Sequence, residues 1–175
     1  MKTQFFSLFI IISYLLVGLA QAEAVFFNQS LGDLREELQA ARQQGKQGVM
    51  LFFEMDECPF CRRMKETVLN QPEVQKFYQQ HFISLPLDIE GDLEMTDFAG
   101  KTRTQKDFAT KEHRVRATPV IVFFDLDGKP VARYTGATSG VEEFLWLGEY
   151  VVSGAYKTPG MDFTLYKKQR TQGKP

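Results

Sequence analysis

Only two cysteines occur in this 175-residue sequence, and they stand together as Cys58-Pro59-Phe60-Cys61. They follow the apolar run Val49-Met50-Leu51-Phe52-Phe53 directly. A strand that delivers Cys-x-x-Cys to the mouth of a helix puts a thiol where thiol chemistry works best. The first cysteine lies beside the unsatisfied backbone N–H groups of the helix start, which stabilise a thiolate and lower its pKa. The second lies three positions on, on the same helical face, within reach of a disulfide. Cys58 is therefore expected to be an exposed, acidified nucleophile and Cys61 the thiol that resolves its adducts. Such a pair is a two-electron redox device.

Other uses of two cysteines fit less well. A zinc site needs about four ligands. Only His81 and His113 could join the pair, and Cys-x2-Cys-x19-His-x31-His is not a zinc spacing. Copper is a rival, since Met55, Cys58, Cys61 and Met64 repeat every three residues with soft sulfur donors; core packing explains Met64 more simply. A purely structural Cys58–Cys61 disulfide would enclose two residues and constrain the unfolded chain very little.

The flanks tune the pair. Pro59 suits the first helical position and preorganises the turn. Phe60 brings neither charge nor hydrogen bond to the thiolate, and with Pro59 it forms the surface a substrate would meet. Glu54, Asp56 and Glu57 would raise the pKa of Cys58, whereas Arg62, Arg63 and Lys65 would lower it. Glu54, at the strand end, is a candidate proton acceptor for Cys61. Thr118-Pro119 is a second candidate site, because it immediately precedes the apolar run Val120–Phe124. X-Pro bonds are where cis peptides occur, and a cis bond here would leave the Thr118 backbone free to pair with a substrate strand.

The elements that position these residues follow from hydrophobic spacing. Ser30 reads as an N-cap, with Asp33 near the capping-box position and a helical stripe of Leu31, Leu34, Leu38 and Ala41. Residues 49–54 are an interior strand, and a helix from Pro59 to Leu69 restarts at Pro72, with Val74, Phe77 and Tyr78 facing inward. Ile83, Leu85, Leu87 and Ile89 alternate with polar positions in a half-buried strand, which Pro86 marks as an edge or a bulge. Residues 90–103 read as a loop, and 104–113 as a short helix. Val120–Phe124 is a buried strand, joined through Asp127-Gly128 to a hairpin partner over 131–134. Ser139 with Glu142 reads as a capping box that opens a long helix. Past Gly154 the pattern weakens; Met161, Phe163 and Leu165 could pack as a short helix or hang loose. This order predicts one α/β domain, a central mixed β-sheet flanked by helices on both faces.

The first residues read as an export signal. Lys2 precedes an apolar stretch from Phe5 to Ala20, and Ala20-Gln21-Ala22 suits cleavage, with Ala22-Glu23-Ala24 as a second cut. The stretch is shorter than the roughly 20 apolar residues of a spanning helix. No cysteine follows it to carry a lipid. The expected organisation is a signal peptide over 1–22 and a domain over 23–175, with its core at about 30–153. Lys2 is the only charge lost with residues 1–22, so 20 basic residues face 22 acidic ones in the remaining 153. That balance argues against nucleic acid as a partner. The basic run Lys167-Lys168-Gln169-Arg170 reads as a solvated chain end. Export would place the cysteines where disulfides persist, in the periplasm or outside the cell.

Over about residues 30–153 the chain resembles the thioredoxin superfamily. The resemblance rests on Glu54-Met55-Asp56-Glu57-Cys58-Pro59-Phe60-Cys61, on Val115 through Asp125 with Thr118-Pro119 inside it, and on Asp127-Gly128-Lys129 and Gly136. Within the superfamily it is similar to the exported group that includes the SoxW-type proteins. The longer connection over 88–103 distinguishes it from compact cytosolic thioredoxins. The resemblance implies a thioredoxin fold, Cys58 as nucleophile, Cys61 as resolving thiol and Pro119 as the cis-proline opposite them. Two features depart from the pattern. Phe52 stands where thioredoxins keep a buried acid, and Pro-Phe is nearer to glutaredoxins than to the Gly-Pro of thioredoxins. The glutaredoxin glycine pair is not evident, so glutathione use is not implied. The expectation is an exported monomeric thiol–disulfide oxidoreductase that reduces disulfides of envelope proteins. It would need no cofactor and would be recharged by a membrane thiol carrier. A disulfide-donating oxidase and a thiol-based copper carrier are the alternatives.

Overall fold

A computed structural model describes residues 26–173, so the expected export signal lies outside the described residues. Among the described residues the first helix, α1 (Leu34–Gln43), is followed by strand β1 (Gly48–Glu54). Helix α2 (Pro59–Met64) runs on without a break into a π-helical turn over Lys65–Leu69, and α3 (Pro72–His81) leads into β2 (Phe82–Asp88). Two short strands come next, β3 (Glu94–Thr96) and β4 (Thr102–Thr104). Then α4 (Gln105–Asp107) continues as a π-helical turn over Phe108–Glu112. Strands β5 (Val120–Phe124) and β6 (Pro130–Thr135), helix α5 (Val141–Val152) and helix α6 (Phe163–Gln172) complete the chain.

The main sheet runs β2-β1-β5-β6, with β1 parallel to β2, and β5 antiparallel to both β1 and β6. This is the mixed sheet the spacing predicts. Every residue of β1 from Gly48 to Phe53 is buried, and alternation sends them to opposite faces. Met50 and Phe52 join Phe82, Ile121 and Phe123 beneath α2, α3 and α5, where Met64, Tyr78, Phe144 and Leu147 pack. Val49, Leu51 and Phe53 join Leu85, Leu87, Val122 and Phe124 beneath α1 and α4, with Leu34, Leu38 and Phe108. Fully burying each such side chain contributes about 1.5–3 kcal/mol, so β1 is the element that cannot shift register. Tyr78 stacks on Phe144 at 4.3 Å, and its hydroxyl donates to the Phe144 carbonyl at 2.7 Å, which locks α3 to α5.

Several local expectations need correction. Asp33, not Ser30, caps α1, accepting from the Arg35 N–H. The stripe therefore starts one turn later, and Leu31 lies outside the helix in solvent. Residues 90–103 are not a plain loop, since β3 and β4 pair there as a hairpin that extends to Thr104. Ser84 is buried rather than outward-facing, because the segment before α1 lies on the β2 edge: the Asn28 N–H donates to the Ser84 carbonyl, and the Ser84 N–H to Asn28 Oδ1, both at 2.8 Å. Pro86 is exposed on this edge strand, as its missing N–H suggests. The carboxylate that reaches back to the Ser139 N–H is Glu143 at 2.6 Å, not Glu142, and Gly140 is the N-cap of α5. The C-terminal segment packs: Met161 and Phe163 lie against the core, and Lys167 bridges the buried Glu143 at 2.6 Å.

Two predictions follow from this packing. A Cβ at Gly48 would sit 1.9 Å from the Phe124 carbonyl oxygen, a backbone atom that cannot swing away. Gly48→Ala should therefore lower unfolding free energy by roughly 1–3 kcal/mol in urea titrations, as overpacked positions do. His113 lies among the rings of Phe108, Phe124 and Phe53 at 4.5, 5.3 and 5.9 Å. Burial first, then the Arg133 and Arg103 charges, hold its pKa down at about 4. The unfolded chain would titrate it near 6.5, so the contribution of neutral His113 is whole above that pH and is lost as pH falls toward 4. Denaturation midpoints should fall across that window, and His113→Phe should flatten the decline.

Candidate active site

The end of β1 aims the chain at the start of α2, and Cys58 is the N-cap residue there, with extended backbone and Pro59 in the first turn. Cys58 and Cys61 form a disulfide whose Cα atoms are 5.2 Å apart. The Cys61 N–H points back at Cys58 Sγ from 3.1 Å. A helix-start donor aimed at the first sulfur is the feature that would hold it as a thiolate once the bond opens.

The pair is less exposed than the sequence suggests. Cys58 is 3% and Cys61 2% accessible, and both belong to the core beneath α2 and α3, along with Phe52 and Met64. The N-cap position turns the Cys58 side chain onto the first helical turn rather than out to solvent. Pro59 and Phe60 are exposed beside it, Phe60 at 57%. The Arg63 guanidinium lies 5.5 Å from the Phe60 ring centroid, a contact worth about 0.5–1 kcal/mol at an exposed site. Phe60 is thus a braced apolar rim above a covered disulfide.

Glu54 and Lys65 carry opposite charges on either side of the motif. They are paired with each other at 2.5 Å, so their fields largely cancel at the sulfurs. Glu54 has a cation as its partner, and a proton-acceptor role for it has to compete with that contact. Lys65 Nζ also lies 5.9 Å from the ring centroid of Phe27, which packs 5.7 Å from Phe52. Spacing treats Lys65 as one charge among several, yet its place one helical turn after Cys61 is the signal that it stays beside the site. Phe27 lies ahead of the first helix in no periodic pattern, and nothing in the sequence marks it.

Thr118-Pro119 is a cis peptide bond. Val120 pairs in register with Phe53, so this dipeptide lies at the end of the sheet from which the chain leaves β1 toward Cys58. Pro119 is buried, Thr118 is partly exposed, and Thr118 Oγ1 is a buried hydroxyl without a partner. Of the proposed copper donors, Met64 is wholly in the core and Met55 is partly buried between the two core layers. Among the described residues no three His, Cys, Asp or Glu side chains converge in a metal-holding group.

A family model for the thioredoxin-like domain matches residues 34–152. The chain belongs to that family. Among solved structures it is similar to a thioredoxin-fold protein from Helicobacter pylori, with 22% identity and a TM-score of 0.59 over 73% of this chain and 86% of that one. A putative disulphide-isomerase from Bacteroides thetaiotaomicron matches at 23% identity and a TM-score of 0.57, covering 76% and 97% of the two chains. DsbH oxidoreductase matches at 22% and 0.51, covering 80% and 93%. At these identities the likeness is one of fold. No curated protein matches the sequence. Thioredoxin-like fold, family and a Cys-x-x-Cys disulfide at a helix start together are the equipment of a thiol–disulfide oxidoreductase.

The cancelling ion pair makes a prediction. With Cys61→Ser in place, the Cys58 thiol should titrate below the ~8.5 of a free cysteine, read as alkylation rate against pH. Adding Lys65→Met should raise that pKa by leaving Glu54 uncompensated. Adding Glu54→Gln as well should return it close to its starting value.

Proposed function

We propose that this protein is an exported thiol–disulfide oxidoreductase working mainly as a reductase. The observation that carries the reading is the Cys61 N–H aimed at Cys58 Sγ within a closed, reducible pair. In the reduced state, Cys58 thiolate attacks one sulfur of a substrate disulfide. A Cys58–substrate bond forms, the substrate bond breaks, and the departing sulfur takes a proton. Cys61, deprotonated, then attacks Cys58 Sγ and expels the second substrate sulfur, which is protonated in turn. The substrate gains two electrons and two protons, and the Cys58–Cys61 disulfide is restored. A second dithiol must return those electrons, and a membrane thiol carrier is the class of donor an exported protein would use.

The surroundings of the sulfurs favour this direction over disulfide donation. Strong oxidants stabilise their reduced form heavily. Here the cysteines sit against Phe52 and Met64, one backbone N–H is directed at Cys58, and the Glu54 and Lys65 charges are spent on each other. The leader-like residues 1–22 support export, and with it periplasmic or secreted substrates. DsbH, to which the chain is similar in fold, is itself named an oxidoreductase, which agrees with the chemistry proposed. The SoxW-type resemblance belongs to the same proposal, resting on the motif sequences and the long connection over 88–103. Pro119 and the Thr118 backbone are assigned to substrate alignment beside the pair, Phe60 to the contact rim, and Glu54 to proton transfer once Lys65 is displaced.

The Cys61→Ser variant should trap envelope proteins as mixed disulfides on Cys58, and Cys58→Ser should trap none. Turnover of a disulfide-bonded protein substrate should be lost in both. Absence of covalent adducts from cell envelopes would contradict the proposal.

A further inference from the structure

Among the described residues, the large hydrophobic side chains left exposed are Leu31, Phe60, Leu93 and Leu165. Phe60 belongs to the redox motif. Leu31 and Leu93, 98% and 73% accessible, face a single groove of about 570 Å³ whose floor includes Leu85, Leu87 and Met95. Phe27 lines the same groove, and Phe27 also touches Phe52 and lies under Lys65 on the active-site helix. The groove therefore runs along the β2 edge and ends at Phe27, the ring that packs beside Phe52 and Lys65.

Both walls are fixed by backbone hydrogen bonds. The Thr96 N–H donates to the Gly32 carbonyl at 2.8 Å, which ties the Leu31 loop to β3. The Gln105 and Lys106 N–H groups donate to the carbonyls of Leu93 and Gly91, both at 3.0 Å, which ties the Leu93 loop to α4. Two leucines held in solvent by formed walls are preorganised for a ligand, since no ordering cost remains to be met there. Size and lining suit an apolar side chain or two with some polar contacts.

Strand addition is not how that ligand would bind. On the outer edge of β2 the Ser84 N–H already donates to Asn28, the Asp88 N–H donates to Gln105 Oε1 at 2.9 Å, and Pro86 has no N–H. Recognition is left to side chains. Charge says which kind: Glu90, Asp92 and Glu94 surround Leu93, all exposed, and none of the ion pairs among the described residues engages them. The cation bonded closest to this loop through its backbone is Lys106. An apolar groove lined by one carboxylate, Glu94, with Glu90 and Asp92 exposed in the adjoining loop, complements a segment with apolar anchors flanked by Lys or Arg.

We propose that this groove binds an extended, basic segment of a protein partner, seating its apolar side chains between Leu31 and Leu93. Resting on the function proposed above, that partner is the protein whose disulfide Cys58 attacks, and Phe27 joins the two contacts.

The test reads binding without turnover, so it stands apart from the redox reading. A dye-labelled, cysteine-free peptide with Leu-Gly-Phe flanked by two lysines on each side is titrated with the oxidised full chain, by fluorescence anisotropy. Saturable binding is expected, weakening as salt screens these carboxylates. Leu31→Ser with Leu93→Ser should weaken it about tenfold through lost apolar contact; both residues project into solvent, so the fold does not depend on them. A peptide with glutamates in place of lysines should bind about tenfold more weakly still than the lysine peptide does to the native chain. No saturable binding, equal affinity for the two peptides, or an unchanged affinity in the double variant would overturn the proposal. So would binding to neutral phosphatidylcholine vesicles in place of the peptide, which would make the groove a lipid contact. A chain with inert cysteines that still binds the peptide would keep the groove and discard the redox partner.

Discussion

The burial of β1 on both faces is the constraint from which the site follows. Met50 and Phe52 are claimed by one core layer, Val49, Leu51 and Phe53 by the other, and β2 and β5 pair on either side. A strand held on all four sides can leave the sheet at one place and in one direction. What emerges there is Cys58, turned into the N-cap of α2, so the Cys61 N–H meets its sulfur. The same anchoring brings the start of β5, and Thr118-Pro119 before it, to the same end of the sheet. The redox pair owes its position to apolar packing and its chemical character to a backbone dipole.

Charge plays a smaller part than the crowded flanks suggest. Six ionisable side chains close to the motif in sequence carry opposing signs, and the pair that brackets it, Glu54 and Lys65, is joined in an ion pair. Glu54 is partly buried while Lys65 stays 44% accessible, so the pair is largely a surface one, worth typically below 1 kcal/mol, with the Phe27 ring beside its cation. The sulfurs are left in an apolar setting with a single directed donor. That setting suits a cysteine pair that exchanges reversibly between disulfide and dithiol.

Much of the architecture was legible in the sequence where burial is continuous. Val49–Phe53 and Val120–Phe124 are uninterrupted apolar runs, and such runs have few ways to be satisfied except as interior strands. The boundary of α1 was misread because Leu31 sits three residues before Leu34 and extends the stripe on paper, while Asp33, two residues later, wins the cap by also binding Arg35. The β3–β4 hairpin was missed since each strand has three residues and Met95 alone among them is buried, too little for an alternating signal. The burial of Cys58 was beyond sequence reasoning, because it depends on which way an N-cap side chain turns. The contribution of Phe27 was likewise hidden, as it arises from a segment crossing the β2 edge.

The central claim is that Cys58 and Cys61 interconvert between dithiol and disulfide within an intact fold. Equilibrating the full chain in graded dithiol–disulfide buffers, then trapping and weighing the thiols, measures this directly. The account predicts a single two-electron transition at a potential within the range of about −270 to −120 mV spanned by thioredoxin-fold proteins, with secondary structure unchanged. A disulfide that stays closed in every buffer until the protein unfolds would contradict it.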